Sequence, residues 1–218
     1  MSSSSLLRGT FILTLGTYIS KLLGLFYVIP FFGLIGSYGA ALYNYSYIPY
    51  SIFISISTAG VPLAVSKFVS KYNALGEYKI GRKLFRSGIV VMLITGILAF
   101  FALYFLAPVF AETIVVDDEQ ITSLEEVVSV IRSVSFALLI VPVMSLVRGF
   151  FQGYKSMGPS AVSQVVEQIV RIAFLLTGTY IVIHLLGGSI VQAVQVATFA
   201  AFIGAIGGMG VLVWYWYR

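Results

Sequence analysis

A row of polar side chains occupies one face of the first long apolar segment. Thr10, Thr14, Thr17, Lys21 and Gly24 recur at spacings of four and three residues, which places them on one side of a helix. If this face only packs on neighbouring helices, the threonine hydroxyls bond to their own backbone. Lys21, however, lies too deep to reach either membrane interface easily, and a buried cation costs about 2.5 to 3.5 kcal/mol. The pattern therefore favours a water-filled cavity with a cation in its wall.

A second polar face lies on the fifth apolar segment. Ser160, Gln164, Glu167 and Arg171 follow one another at spacings of four, three and four residues. Glu167 and Arg171 have opposite charges four residues apart on a helix, so each can offset part of the cost of burying the other. We predict an ion pair between them with a structural role at a helix contact, and a role in ion coupling is the alternative.

Two further patterns are typical of membrane helices. Gly204 and Gly208 lie four residues apart in the last apolar segment, which predicts a small-residue face for close helix packing. Four tyrosines crowd one end of the second segment, and an interfacial aromatic belt is the expectation for them. They are Tyr43, Tyr45, Tyr47 and Tyr50.

The composition requires these faces to lie in a membrane protein. Of the 218 residues, 59% are apolar and only 10% are charged, against about 25% charged in an ordinary soluble domain. Six apolar stretches are each long enough to span a bilayer as a helix, which predicts an all-α polytopic bundle of six transmembrane helices in one unit, 1–218. They cover about 10–32, 42–68, 87–109, 128–151, 160–183 and 189–217.

The charges alternate along the links between these segments. The links between segments 2 and 3 and between 4 and 5 are basic, as are the two ends, Arg8 and Arg218. The other three links carry no Lys or Arg, and the one between segments 3 and 4 is acidic, with Glu112, Asp117, Asp118, Glu119, Glu125 and Glu126. Because basic loops remain in the cytoplasm, both termini are predicted to be cytoplasmic and the acidic link to face outward.

Several classes of function are disfavoured. The chain has no cysteine and one histidine, His184, so no Cys- or His-based metal site is expected. A serine-hydrolase elbow, a pair of aspartates within helices and a phosphate-binding glycine loop are all missing from the sequence. The net charge of +5 is a small excess that cytoplasmic loops explain, so nucleic acid is not an expected partner. We predict a protein that is not an enzyme and uses no cofactor.

Two stretches of sequence resemble a known family. The first consists of Ile19-Ser20-Lys21-Leu22-Leu23-Gly24 and the later run from Ser57 to Lys67. The second runs from Arg148 to Tyr154 and continues with Met157-Gly158-Pro159, Gln164, Glu167, Gln168 and Arg171. Together they resemble the polysaccharide biosynthesis and stage V sporulation protein B branch of the multidrug/oligosaccharidyl-lipid/polysaccharide (MOP) exporter superfamily. That branch includes the MurJ-like lipid II flippases, and the likeness extends over nearly the whole chain.

The resemblance implies one lobe of a two-lobe alternating-access transporter. Six helices match the N-terminal lobe, so a C-terminal lobe is an expected partner, together with membrane lipids. The implied activity is export of a lipid-linked saccharide, such as lipid II or another undecaprenyl-pyrophosphate-linked sugar, across the bacterial cytoplasmic membrane for cell-wall or polysaccharide synthesis. Lys21 is the expected contact for the anionic headgroup, with Thr14, Thr17 and Tyr18 as polar lining.

Two other functions are compatible with the sequence. A multidrug/cation antiporter of the same superfamily would need a carboxylate in its cavity, and Glu167 is the candidate. A membrane assembly subunit that transports nothing would need neither polar face, so the faces on segments 1 and 5 argue against it.

Overall fold

The computed structural model describes the backbone of residues 3–115 and 123–218, and every regular element in those ranges is a helix. Six helical stretches are long and apolar enough to cross a membrane, so the prediction of an all-α bundle with six spans is confirmed. The elements are α1 (Ser3–Phe26), α2 (Val28–Thr58), α3 (Val61–Ala74), α4 (Tyr78–Val115), α5 (Leu124–Ser135), a 3-10 helix (Phe136–Leu139), α6 (Val141–Gly153), α7 (Met157–Tyr180), a π-helical turn (Ile181–Leu185) and α8 (Ile190–Tyr217). Asp117, Asp118 and Glu119 of the acidic link lie outside the described residues.

The chain reverses direction inside α2, at Gly36. The hydroxyl oxygens of Tyr27 and Tyr43 are 3.1 Å apart, although an unbroken helix would separate the two residues by about 24 Å. Gly36 alone in α2 leaves helical geometry, with φ 67° and ψ −172°, a conformation that glycine adopts without steric cost. The loop expected over 33–41 is therefore absent, because the apolar residues on both sides of Gly36 continue the two helices up to the turn.

Prolines and a glycine interrupt two of the other spans. Gly60, with φ 73°, separates α2 from α3, and Pro62 follows within the first turn of α3. The 3-10 helix separates α5 from α6, where Pro142 lies in the first turn. Proline is tolerated there because the first amides of a helix have no intrahelical acceptor.

Described residues beside each of the three non-basic links lie at the same end of the bundle. Tyr38, just after the reversal, donates a hydrogen bond to the carboxylate of Glu126 at the start of α5. Next to it, Gly39 packs so closely against Ile190, the first residue of α8, that a methyl group there would lie 2.9 Å from Ile190 Cγ2. These contacts place the ends of three spans together, as alternation of six antiparallel crossings requires.

The small-residue helix α8 lies in the core. Its buried residues are nearly all Ala, Gly, Val and Thr, and these allow close approach to α7. A methyl group at Gly204 would lie 2.7 Å from Arg171 Cβ, and one at Gly208 would lie 3.0 Å from Glu167 Cβ. The predicted close-packing role of Gly204 and Gly208 matches these contacts, and it fixes the backbone that carries the polar face of α7.

Candidate functional site

The first and fifth spans pack side by side in a parallel direction. Contacts advance along both helices together: Gly16 lies against Ala161, and Gly24 lies against Gln168 about two turns further on. At Gly16 the approach is close, because a methyl group there would lie 2.9 Å from Ala161 Cβ. The seam therefore brings the polar faces of α1 and α7 next to each other.

An open cavity of about 400 Å³ lies along this seam. Every residue that lines it except Gly24 has a polar side chain, and these residues come from the two helices and the turn after α1. The lining residues are Thr17, Ser20, Lys21, Gly24, Tyr27, Gln164, Glu167, Gln168 and Arg171. The two polar faces that the sequence shows on separate segments therefore form one site.

The structure places the four predicted lining residues of α1 around a neighbouring depression. This depression has a volume of about 240 Å³ and is lined by Leu13, Thr14, Thr17, Tyr18 and Lys21. Thr17 and Lys21 contribute to both hollows. The Thr17 hydroxyl lies 2.9 Å from the Leu13 carbonyl and 3.0 Å from Gln164 Oε1, so it also joins α1 to α7.

Glu167 is paired with a different arginine from the one expected. Arg148 Nη2 of α6 lies 2.7 Å from Glu167 Oε2, and the two side chains are only 13% and 22% exposed. Arg148 also donates to Ser163 Oγ at 2.7 Å, and Ser163 donates to the carbonyl of Gly208 at 2.8 Å. The predicted Glu167–Arg171 pair is wrong, because the α6–α7 turn returns Arg148 to Glu167 and the resulting network joins α6, α7 and α8.

Arg171 contacts tyrosines instead of a carboxylate. Its guanidinium donates hydrogen bonds to the hydroxyls of Tyr47 and, at 3.4 Å, Tyr43. It also lies 5.3 Å from the centroid of the Tyr47 ring, within the range of a cation–π contact. Its Nε is buried without a hydrogen-bond partner. For Tyr43 and Tyr47 the expected role in an aromatic belt is therefore wrong, since both residues hold a half-buried cation.

The cavity consequently carries positive charge that the protein does not neutralise. Among residues 7–113 and 123–218, the only ion pair is the one between Arg148 and Glu167. In the same residues, Lys21 and Arg171 have no carboxylate partner. The carboxylate in the lining, Glu167, is matched by Arg148. Two unmatched cations beside hydroxyl and amide groups can bind an anion through charge-assisted hydrogen bonds. No cluster of His, Asp or Glu suited to a metal is found in the same ranges.

The residues that sequence reasoning missed are Arg148, Tyr27, Tyr43 and Tyr47. Tyr43 and Tyr47 are assigned to the interfacial belt from sequence, and Arg148 and Tyr27 are given no partner there. One signal was available: Tyr43, Tyr47 and Tyr50 are spaced by four and three residues, which places them on one helix face. Tyrosines of an interfacial belt need not share one helix face, so this spacing indicates a contact with a neighbouring helix.

Fold and cavity define the chain as a multi-pass, all-helical membrane protein with a cation-lined polar cavity. The family model for polysaccharide biosynthesis proteins matches residues 6–218, and the chain belongs to that family. It is 58% identical over 215 residues to the lipid II flippase MurJ of Bacillus subtilis (strain 168), covering 98% of this chain and 40% of that protein.

Two other proteins of the same organism are more distant. Stage V sporulation protein B is 31% identical over 184 residues, covering 83% of this chain and 34% of that protein. The uncharacterized membrane protein YabM is 31% identical over 211 residues, covering 97% of this chain and 37% of that protein. The chain therefore spans well under half the length of these relatives. No solved structure gives a significant match.

Proposed function

We propose that this chain is the N-terminal lobe of a flippase that moves a lipid-linked saccharide, lipid II or a similar undecaprenyl-pyrophosphate-linked sugar, across the bacterial cytoplasmic membrane. The product would serve peptidoglycan or polysaccharide synthesis. The relative at 58% identity is a lipid II flippase, which supports this substrate class and a transport role without catalysis.

The observation that carries the proposal is the pair of unmatched cations, Lys21 and Arg171, in one polar cavity. A pyrophosphate headgroup must leave water to cross the hydrocarbon, and fixed cations lower that cost. Thr14, Thr17 and Tyr18 line the approach on the same helix. Once the anion is bound, an inside-negative potential favours outward movement by about 2.3 kcal/mol per charge per 100 mV.

The alternative of a cation antiporter fits the cavity less well. Such a protein needs a carboxylate free to bind a cation or a proton, and Glu167 is held by Arg148 at 2.7 Å. A non-transporting assembly subunit would leave the polar cavity without a purpose. An anion carrier uses both cations and needs no free carboxylate.

The proposal includes a second lobe. The cavity is open along α1 and α7, and Lys21 and Tyr18 are exposed. Transport sites commonly lie between the two halves of a transporter, so a further set of helices would complete the walls. The purified 218-residue chain should therefore not flip substrate as a monomer in liposomes.

We place both termini in the cytoplasm, because the basic links lie there under the positive-inside rule. The absence of native cysteine makes single-cysteine probes unambiguous. Ser123→Cys should react with an impermeant thiol reagent added to intact cells, and Ser156→Cys should react only after the cells are opened. The opposite labelling pattern would invert the orientation while leaving the cavity unaffected.

Charge at position 21 tests the proposed substrate contact. In cells that depend on a flippase containing this lobe, Lys21→Arg should retain most activity. Lys21→Met should lose about tenfold to a hundredfold, the loss expected for a charge-assisted hydrogen bond. Lys21→Glu should be worse, because it repels the pyrophosphate.

The matched control is Lys79→Met, which removes an exposed lysine of α4 outside the cavity. It should support growth normally, and all four variants should accumulate in the membrane at similar levels. If Lys21→Met supports growth as well as the unaltered protein does, Lys21 is only a packing residue and this flippase proposal loses its main support.

A further inference from the structure

A second hollow lies on a different surface of the bundle, between α4 and α8. It has a volume of about 450 Å³, and its lining is entirely apolar apart from backbone atoms. Leu93 of α4 forms one wall, Ile206 and Val213 of α8 form the other, and Ile140 and Val143 form the floor. It shares no residue with the cavity of Lys21 and Arg171.

This hollow continues along the helices as a groove. A smaller hollow of about 270 Å³ shares Met209 and Val213 with it and extends to Phe85 and Trp216. The groove exists because α6 and the 3-10 helix hold α4 and α8 apart. Gly210 widens it further, since a methyl group there would have no neighbour within 4 Å.

Aromatic side chains pack near both ends of the groove. At one end Phe136 of the 3-10 helix packs against Phe100 of α4 and Phe202 of α8. At the other end Phe85 stacks on Trp216, with ring centroids 5.5 Å apart. The two hollows form one open groove with almost no polar surface, which suits a flexible hydrocarbon chain.

A pocket that contains a cation and hydroxyl groups adjoins the groove at Trp216. It has a volume of about 370 Å³ and is lined by Arg82, Tyr154, Ser156 and Tyr215 together with Trp216 and two phenylalanines. Arg82 is exposed, and the described residues provide no carboxylate partner for it. A cation and three hydroxyl groups thus lie where the apolar groove ends.

The turn beside this pocket holds a lysine in an unfavourable conformation. Lys155 lies between the pocket residues Tyr154 and Ser156 and has φ 60°. Among the described residues it is the only one other than glycine with a positive φ. The amides of Lys155 and Ser156 bond to the carbonyls of Gln152 and Phe151, an arrangement in which glycine is the usual residue at this position. Lys155 therefore adds a second positive charge next in sequence to two pocket residues, in a conformation that costs backbone energy.

We propose that this groove binds an anionic phospholipid of the membrane, with one acyl chain between α4 and α8 and the phosphate beside Arg82. The charge of the pocket selects the headgroup, and the adjoining groove takes the chain. If the polar cavity at α1 and α7 faces a second lobe, as the proposed function requires, this groove is left facing lipid. The ligand would be a bound structural lipid and not the transported one.

Tryptophan quenching by brominated acyl chains tests the site directly. The chain has two tryptophans, so Trp214→Phe leaves Trp216 as the sole reporter at the groove. The protein is placed in equimolar phosphatidylglycerol and phosphatidylcholine, with bromine on the chains of one lipid or the other. Random contact gives equal quenching, whereas the proposal expects brominated phosphatidylglycerol to be favoured about fivefold for one basic contact.

Two variants separate the headgroup from the chain. Arg82→Gln should bring the preference close to one, while Lys71→Gln, which removes a cation of α3 outside the pocket, should not change it. Gly210→Leu places a side chain in the groove, at a position where an added Cβ has no neighbour within 4 Å, and should lower quenching by both lipids.

Equal quenching by the two lipids would overturn the proposal, and so would an Arg82→Gln variant that keeps the full preference. Absence of quenching by either lipid would also overturn it, because the groove would then be covered by protein, such as a second copy of the chain. None of these results depends on transport, so the proposed flippase function would be unaffected.

Discussion

Two arginines at the centre of this protein are held in opposite ways. Arg148 is bound to the carboxylate of Glu167 and to Ser163, in a network that joins α6, α7 and α8. The guanidinium of Arg171, one helical turn from Glu167, contacts tyrosine hydroxyls and a tyrosine ring. A carboxylate cancels the field of a cation, whereas neutral hydroxyls orient the cation and leave its charge in place.

Because of this difference, the two arginines have different roles. The Arg148 pair brings three helices together and adds no net charge to the cavity wall. Arg171 keeps its charge and lies in the lining with Lys21. The same residue type on neighbouring helices therefore stabilises the bundle in one case and, under the proposed function, attracts substrate in the other.

The largest effect should come from removing Arg148. Arg148→Met leaves Glu167 buried without its counter-charge, which should lower the free energy of unfolding by about 3 to 5 kcal/mol. Denaturant titration in detergent would measure this loss. The double variant Arg148→Met/Glu167→Met should recover most of it, because replacing both partners removes the uncompensated charge. If Arg148→Met is as stable as the unaltered chain, Arg148 does not have the structural role that distinguishes it from Arg171.

Removal of Arg171 should have the reverse profile. Arg171→Gln should lower flipping in a complete transporter by about tenfold or more, since one of two charge-assisted contacts to the anion is lost. Its unfolding free energy should fall by less than that of Arg148→Met, because a buried unmatched charge is also removed. Measuring transport beside stability for both variants sharpens the comparison. A stability loss equal to that of Arg148→Met would make Arg171 structural as well.

The smallest effect concerns the contact that joins the two polar faces. Thr17→Val keeps the shape of the side chain and removes the 3.0 Å hydrogen bond to Gln164. Hydrogen bonds between membrane helices contribute about 0.6 kcal/mol on average, and the unfolding free energy should fall by that order. Thr14→Val, on the exposed side of α1, serves as the control and should cost less. Equal losses in the two variants would show that the Gln164 bond contributes nothing measurable.

The number of spans and the polar face of α1 could be predicted from sequence because both depend on local patterns. Apolar length determines a span, and spacing determines a helix face. The partner of Glu167 could not be predicted, because Arg171 is the nearest cation along the helix while Arg148 reaches it only through the α6–α7 turn. Tyr43 and Tyr47 were missed because nothing local indicates that α2 returns past α7.

The reversal at Gly36 has a consequence for how the protein enters the membrane. From Leu22 to Ser66 the chain contains no Lys, Arg, Asp, Glu or His, and a single glycine makes the turn. Each ionised side chain carried across the hydrocarbon would add about 2.5 to 3.5 kcal/mol to the barrier, and this segment carries none. The first two spans are therefore built to leave the ribosome and enter the bilayer together as one hairpin, with almost no polypeptide to translocate.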